Sequence, residues 1–360
     1  MGTELDNIQT LKELDPQGML SMLKRIDRQL EQAFYIGSGA DLPNISSPIQ
    51  CIVICALGGS AIAADLVRVY LEGKLEIPIV VNRGYTFPKF SGSSTLAVIC
   101  SYSGNTEETI CAYRQAQKAG CKILCLTSGG ELGSLASESH CVYLEIPGGL
   151  PPRNAIGYMA VPLLVLFSRL GLVPDPSNEL LGSLPWVREL STLYDCGNEV
   201  LLNPAKQVAL EVHCKVPIIY GSYSRLDMVA MRWQSQFCEN GKQLAYTGAL
   251  PEMNHNEIVG WKHPVETLKQ FVPIFLCDRD DHPQLRRRVV LTRELVEKKA
   301  GISLEYWSRG ESWWERLWSL IILGDYASVY LSFLNREDPT PVDIIETFKR
   351  QLKQPVSKLR

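Results

Sequence analysis

Five short apolar runs in the first half of the chain show no polar alternation: "CIVICAL" (51–57), "PIVVN" (78–82), "TLAVICS" (95–101), "KILCLTS" (122–128) and "CVYLEIP" (141–147). A strand that is apolar on both faces must be covered on both, and parallel sheets achieve this with their crossover helices. The intervening "SAIAADLVRVYLEG" and "TEETICAYRQAQKAG" carry apolar residues at helical spacing and end in a glycine suited to a C-cap. This part of the sequence predicts a doubly wound α/β domain.

A similar rhythm restarts with a strand at "VPIIYGS" (216–222) and a helix at "RLDMVAMRWQSQFCENG" (225–241). Further strands are expected at "KQLAYTG", "FVPIFLCD" and "ISLEYWSRG", with helices at "QLRRRVVLTRELVEKKAG" and "SWWERLWSLIILGDYASVYLSFLNR". Between the halves, "GGLPPRNAIGYMAVPLLVLFSRLGLVPDP" places prolines on either side of an apolar helix. The expected organisation is an α/β domain over 1–152, a bridging helix and linker over 153–185, and a second α/β domain over 186–360. Each would be a parallel sheet flanked by helices, alike in layout and not in obvious sequence identity. A last helix is expected in "PTPVDIIETFKRQLK", with Thr340 as N-cap and Pro341 at N1.

At 360 residues the chain can bury two cores. Its net charge of -3, from 36 basic and 39 acidic residues, argues against broad nucleic-acid binding. The run "LRRRVV" (285–290) has no interleaved aromatics and reads as a solvated helix face. "SWWERLW" has the spacing of helix packing, in a core or a dimer interface. The first residues lack a signal pattern, and polar residues interrupt the apolar stretches, so a cytoplasmic protein without membrane association is expected. Eleven cysteines without a CxxC pair, several inside strands, read as buried reduced thiols.

Ligands of parallel sheets sit at strand carboxyl ends, near helix N-termini. Two turns have that address. "LGGSAIA" follows the first strand, with Gly58 and Gly59 allowing close backbone approach and Ser60 offering a hydroxyl. "SYSGNT" follows the third, with Ser101, Ser103 and Thr106. Free amides and hydroxyls at a helix start form an anion site without lysine; Ser/Thr ahead of "EE" is equally an ordinary cap. Neither GxGxxG after a strand nor GxxxxGK[ST] is present, which leaves a small phosphorylated ligand rather than a nucleotide.

The "SxSGNT" pattern resembles the phosphate-binding signature of sugar isomerase (SIS) domains. "GGSA", "SYSGNTEET", "PPRNAIGY", "EMNHNEIVGW" and "DPTPVDIIETFKRQL", in that order, resemble the bifunctional phosphoglucose/phosphomannose isomerases of archaea and bacteria. Asn154 departs from the pattern, where a small apolar residue is expected after the arginine; this leaves the arginine's role in place and puts the local packing in question. The resemblance implies two SIS-type domains and a cofactor-free, metal-independent interconversion of fructose 6-phosphate with glucose 6-phosphate and mannose 6-phosphate. It also implies a homodimer with a shared active site.

By the same resemblance Glu239 would be the base that moves a proton between C1 and C2. The residues lend this some support, because Glu239 ends a helix capped by Asn240–Gly241 and a helix C-terminus disfavours a carboxylate's charged form. His255, contributed by the neighbouring subunit, would open the sugar ring. A structural histidine, or a metal cluster of His255, Glu257 and His263, are the other readings of that segment. Arg153 would stabilise the enediolate, or else serve a linker salt bridge. Lys349 would assist ring opening, with Lys353 one turn later as the alternative register. Thr340 would line the pocket near C2. Two other functions compete: an isomerase of a different sugar phosphate, and a non-catalytic sugar-phosphate sensor that would need neither Glu239, His255 nor Lys349.

Overall fold

Each apolar run of the first half becomes a strand in a computed structural model, which describes residues 4–42, 48–139 and 141–352. Three helices come first: α1 (Ile8–Leu14), α2 (Met19–Leu23) and α3 (Ile26–Gly39). There follow β1 (Cys51–Cys55), α4 (Gly58–Leu71), β2 (Ile79–Asn82), β3 (Thr95–Cys100), α5 (Glu107–Lys118), β4 (Lys122–Thr127), α6 (Gly130–Ser139) and β5 (Val142–Glu145). The strands form one parallel sheet in the order β2-β1-β3-β4-β5. β3 is buried along its whole length, as its unbroken apolarity requires.

Helices α7 (Ile156–Arg169), α8 (Ser177–Gly182), α9 (Leu184–Leu193) and α10 (Pro204–Val212) lead into the second half. It contains β6 (Val216–Ser222), α11 (Asp227–Glu239), β7 (Tyr246–Leu250), α12 (Val265–Leu268), β8 (Phe271–Cys277), α13 (Pro283–Ala300), β9 (Leu304–Trp307), α14 (Trp313–Leu334) and α15 (Asp343–Leu352). The second sheet is also parallel, in the order β7-β6-β8-β9. α7 packs on α3 and α4, α14 packs on α10 and α11, and the two halves meet through α4 and α11.

Three expectations need correction. β7 starts at Tyr246, opposite Ile218, and not near Lys242. The Gln243 side chain donates to the Val212 and Lys215 carbonyls, 2.8 Å each, which holds the chain away from the ladder before that point. The last helix starts at Asp343, so Thr340 is not its N-cap and Pro341 is not at N1. The Thr340 carbonyl is taken by Arg153 and its N–H by Asp338, so this backbone is committed before a helix can begin. Finally, α14 is 22 residues long and apolar enough to cross a membrane, yet 94% of its most apolar window is buried inside this chain. It is a core helix, and Trp314 and Trp318 of "SWWERLW" are fully buried in it. All eleven cysteines are free thiols, but only Cys55, Cys100, Cys125 and Cys277 are fully buried.

α11 and α14 are locked by a flat ring. The Trp233 indole N–H donates to the Leu320 carbonyl at 2.8 Å, and the ring lies where a Cβ on Gly324 would have to sit. Gly324→Ala would gain about 1 kcal/mol in helix propensity. Overpacking against a rigid, fully buried ring costs about 1–3 kcal/mol, and a direct overlap belongs at the upper end. We therefore expect Gly324→Ala to lower stability in urea unfolding; an equal or higher midpoint would show that Trp233 can move.

Candidate active site

In the first sheet the strand order reverses between β1 and β3, which opens a crevice beyond their carboxyl ends. α4 and α5 both begin there, and neither has a capping side chain at its N-terminus. The ordinary-cap reading of "SYSGNTEE" is therefore corrected. The Thr106 hydroxyl shares a 2.9 Å hydrogen bond with the Ser101 hydroxyl and leaves the first-turn N–H groups of α5 uncapped. Gly58 adopts φ +51, a conformation only glycine takes without strain. A Cβ on Gly59 would press on the Pro152 carbonyl and the Arg153 backbone. Ser60 Oγ accepts the Tyr102 N–H at 3.3 Å, so the two turns are joined. Ser103 is exposed, and its hydroxyl accepts the Asn105 N–H at 3.4 Å. The chemistry on offer is a set of hydroxyls and uncapped helix-end amides, with Glu107 and Glu108 in the first turn of α5, that could hold a phosphate or similar group.

The Tyr102 hydroxyl donates to the Pro147 carbonyl and accepts the Leu150 N–H, both at 3.0 Å, so the chain leaving β5 is pinned on its way to Arg153. Arg153 lies in a short 3-10 segment, Pro152–Asn154, and is 4% exposed. Its Nε donates to Asn240 Oδ1 at 2.6 Å and its Nη2 to the Pro339 and Thr340 carbonyls at 2.8 Å each. Its Nη1 is 3.5 Å from the Glu239 carboxylate. Burial pushes the guanidinium below its ordinary range, and Glu239 acts in the opposite direction. Glu239 is the last residue of α11, part-exposed, with a carboxylate that no other side chain occupies among the described residues. A part-open carboxylate beside a fixed, permanently charged guanidinium can exchange a proton with a bound carbon acid while the cation steadies the resulting oxyanion.

A chain of contacts thus links the two turns through Ser60 and Tyr102, Gly59 to the Arg153 backbone, and the Arg153 side chain to Glu239 and the Thr340 carbonyl. It does not bring in His255 or Lys349. His255 is exposed in the 3-10 segment Glu252–His255 after β7, and Lys349 is exposed on α15. Lys353 lies outside the described residues. The alternative metal cluster is not assembled: Glu257 receives the Tyr220 hydroxyl, and among the described residues no group of three His, Cys, Asp or Glu side chains is poised for a metal. Sequence reading took Asn240 only as a helix cap and missed its second role: fully buried, it holds Arg153 on one side and the Ser328 hydroxyl, at 2.9 Å, on the other. It also missed Asn105, whose side chain donates to the Ser103 carbonyl and accepts the Glu131 N–H. Asn240 is the C-cap of α11 as expected, while the left-handed residue beyond it is Lys242, at φ +53, and not Gly241.

Residues 201–352 match the family model described as the bacterial phospho-glucose isomerase C-terminal SIS domain. The chain is 38% identical over 336 residues to a bifunctional phosphoglucose/phosphomannose isomerase of Caldicellulosiruptor bescii, covering 93% of this chain and 99% of that one. It is 34% identical to the protein of the same description from Aquifex aeolicus, covering 87% and 94%. A D-glucosamine-6-phosphate 4-epimerase of Sulfolobus acidocaldarius is 29% identical over 66% of this chain and 71% of its own. Among solved structures, the C-terminal domain of glucosamine-fructose-6-phosphate aminotransferase from Francisella tularensis superposes with a TM-score of 0.66 at 13% identity, covering 90% of this chain and 98% of that one. A glucose-6-phosphate isomerase like protein from Thermus thermophilus gives 0.64 at 16%, covering 95% and 99%. At such identities these two structures speak for the fold alone.

As an anion cradle the crevice should respond to inorganic phosphate. At a concentration of about 100 times its dissociation constant, phosphate should stabilise the fold by about 2.7 kcal/mol, seen as a rise in Tm. The paired substitutions Ser101→Ala and Thr106→Val should remove most of that rise. An undiminished rise in the double variant would locate the anion elsewhere.

Proposed function

The chain belongs to the bifunctional phosphoglucose/phosphomannose isomerases, and from that membership we propose that it interconverts fructose 6-phosphate with glucose 6-phosphate and mannose 6-phosphate through a cis-enediol. The observation that carries the site assignment is the Arg153–Glu239 pair, 3.5 Å apart, with the Arg153 backbone against Gly59 at the uncapped start of α4. In this reading the phosphate lies on Gly58, Gly59, Ser60, Ser101, Ser103 and Thr106, and the sugar's first two carbons reach Glu239. Glu239 takes the proton from one carbon and returns it to the other. Arg153 faces the enediolate oxygen as charge develops, and its fixed hydrogen bonds mean that little reorganisation is needed at that moment. The electrostatic work falls to Arg153, and no metal is assigned a part.

Ring opening is assigned to His255 of the partner subunit and to Lys349 in a homodimer, a reading supported by the exposure of both in a single chain. Imidazole suits the task because its unperturbed pKa lies near neutrality. Thr340 lines the pocket near C2. Its Oγ1 is buried with no hydrogen-bond partner among the described residues, which supports a wall that accepts a sugar hydroxyl in either configuration. We place the enzyme in the cytoplasm, as the proposed sugar-phosphate substrate and eleven free thiols favour.

With fructose 6-phosphate and EDTA present, both aldose phosphates should form. Glu239→Gln should reduce turnover by about 10²–10⁴-fold while still binding the ketose phosphate; turnover near the parent level would reject Glu239 as the base. A mixed dimer of Glu239→Gln and His255→Ala chains should regain activity that neither parent has, since one of its two composite sites is intact. Mixtures as inactive as the parents would argue against a site shared between subunits.

A further inference from the structure

Residues 339–341 form the root of α15, and two cations hold them. Arg153 Nη2 donates to the Pro339 and Thr340 carbonyls. Lys242 Nζ donates to the Pro341 carbonyl at 2.7 Å, the Pro339 carbonyl at 3.3 Å and the Glu239 carbonyl at 2.6 Å. These three acceptors match the three protons of an ammonium. Both cations therefore touch the end of α11 as well, one at the Glu239 carboxylate and the other at its backbone. Beyond the root, α15 has no buried residue. Within this chain the place of the C-terminal helix rests on that grip.

The backbone indicates that lysine is needed here. Gly241 is kept by space, since a Cβ there would press on the Phe237 carbonyl and on Leu331. The left-handed conformation falls on the next residue, Lys242, where glycine would carry it without strain. A side chain retained in an unfavourable conformation points to a use for that side chain.

We infer that Lys242 is a positioning residue: with Arg153, its ammonium fastens the root of α15 to the end of α11 and so sets the C-terminal helix relative to Glu239. The inference rests on the reading of Glu239 as the base. Burial and the nearby Arg153 push the Lys242 ammonium below the ordinary lysine range, while Asp338, Glu337 and Glu239 oppose this. As pH rises, Lys242 loses its proton before an ordinary lysine does, so the grip weakens on the alkaline side.

The test uses full-length Lys242→Gly, Lys242→Met and Lys242→Arg. The glycine variant relaxes the backbone while removing the ammonium, so its Tm should hold at the parent value. A misplaced root should lower kcat by about 10- to 100-fold in the Gly and Met variants, with faster amide exchange across 338–352. Arginine stays charged, so Lys242→Arg should restore most of kcat and move the alkaline limb of the pH–rate profile upward. Unchanged exchange and an unmoved alkaline limb would overturn the proposal, as would activity losses that merely follow Tm. Amide exchange needs no turnover, so it decides the clamp even if Glu239→Gln proves active and the base lies elsewhere.

Discussion

The site depends on one buried guanidinium. A cation at 4% exposure is tolerated only when its donors are met, since an uncompensated buried charge costs several kcal/mol. Arg153 meets Asn240, Glu239 and two backbone carbonyls from a segment nearly two hundred residues away in sequence. A lysine could not serve, because a point ammonium lacks the planar fork that reaches four acceptors in different directions. The arginine's own carbonyl is held too, by Arg232 Nη2 at 3.0 Å. Arg232 in turn makes two hydrogen bonds to Asp325 of α14, whose carboxyl is pushed up by burial and pulled back by that same arginine. Breaking such a pair typically costs about 3–5 kcal/mol. The guanidinium proposed to meet the developing negative charge is thus fixed at both its side chain and its backbone carbonyl.

The two sheets share a layout, and the contents of their crevices separate them. Beyond β1 and β3 lie uncapped amides and hydroxyls. The equivalent place beyond β6 and β8 is filled by the protein's own carboxylates. Asp281 takes the Ser222 hydroxyl and Arg225, while Asp278 takes Arg225, Arg316 and the Ser308 hydroxyl. Burial raises Asp278, but the hydrogen bonds and Arg316 outweigh it, and its carboxyl ends below the usual range. An anionic ligand there would face charge of its own sign. The first crevice offers the amides and hydroxyls that the proposed phosphate site needs, whereas the equivalent place in the second half is occupied by an internal ion network.

Much of this was legible because it is periodic or local. The apolar runs from Cys51 and Thr95 had to become covered strands, and the hydroxyl turns after them follow from topology. Arg153 and Glu239 could be named by resemblance, but their contact joins residues 86 apart in sequence, which no spacing rule reaches. Asn240 read as a helix cap; its second role, holding Arg153, depends on where α11 and α14 bring it. Lys242 falls within the expected strand "KQLAYTG", and nothing local reveals that the Pro339 and Pro341 carbonyls arrive at its ammonium. The Asn154 departure resolves into specific packing. Its carbonyl accepts the Gln29 side chain at 2.8 Å and its amide lies on the sulfur of Met19, while its Oδ1 is buried without a partner. That neighbourhood is built by the N-terminal helices, for which the sequence offered no reading.

The arrangement of α15 carries the last step. A helix of ten residues is too short to hold itself in water without tertiary support. Here its apolar residues stand open, with Ile344 87% and Phe348 58% exposed. Its root is nonetheless gripped by two cations at the end of α11. A chain that fixes the start of a helix so firmly and leaves its greasy face uncovered gains nothing as an isolated subunit, because exposed apolar area of that kind favours association. The two ring-opening residues proposed here, His255 and Lys349, share that exposure. In the proposed reading, Arg153 and Glu239 already meet within one chain while His255 and Lys349 face outward, so a second copy related by two-fold symmetry would bring its own exposed residues to both sites alike.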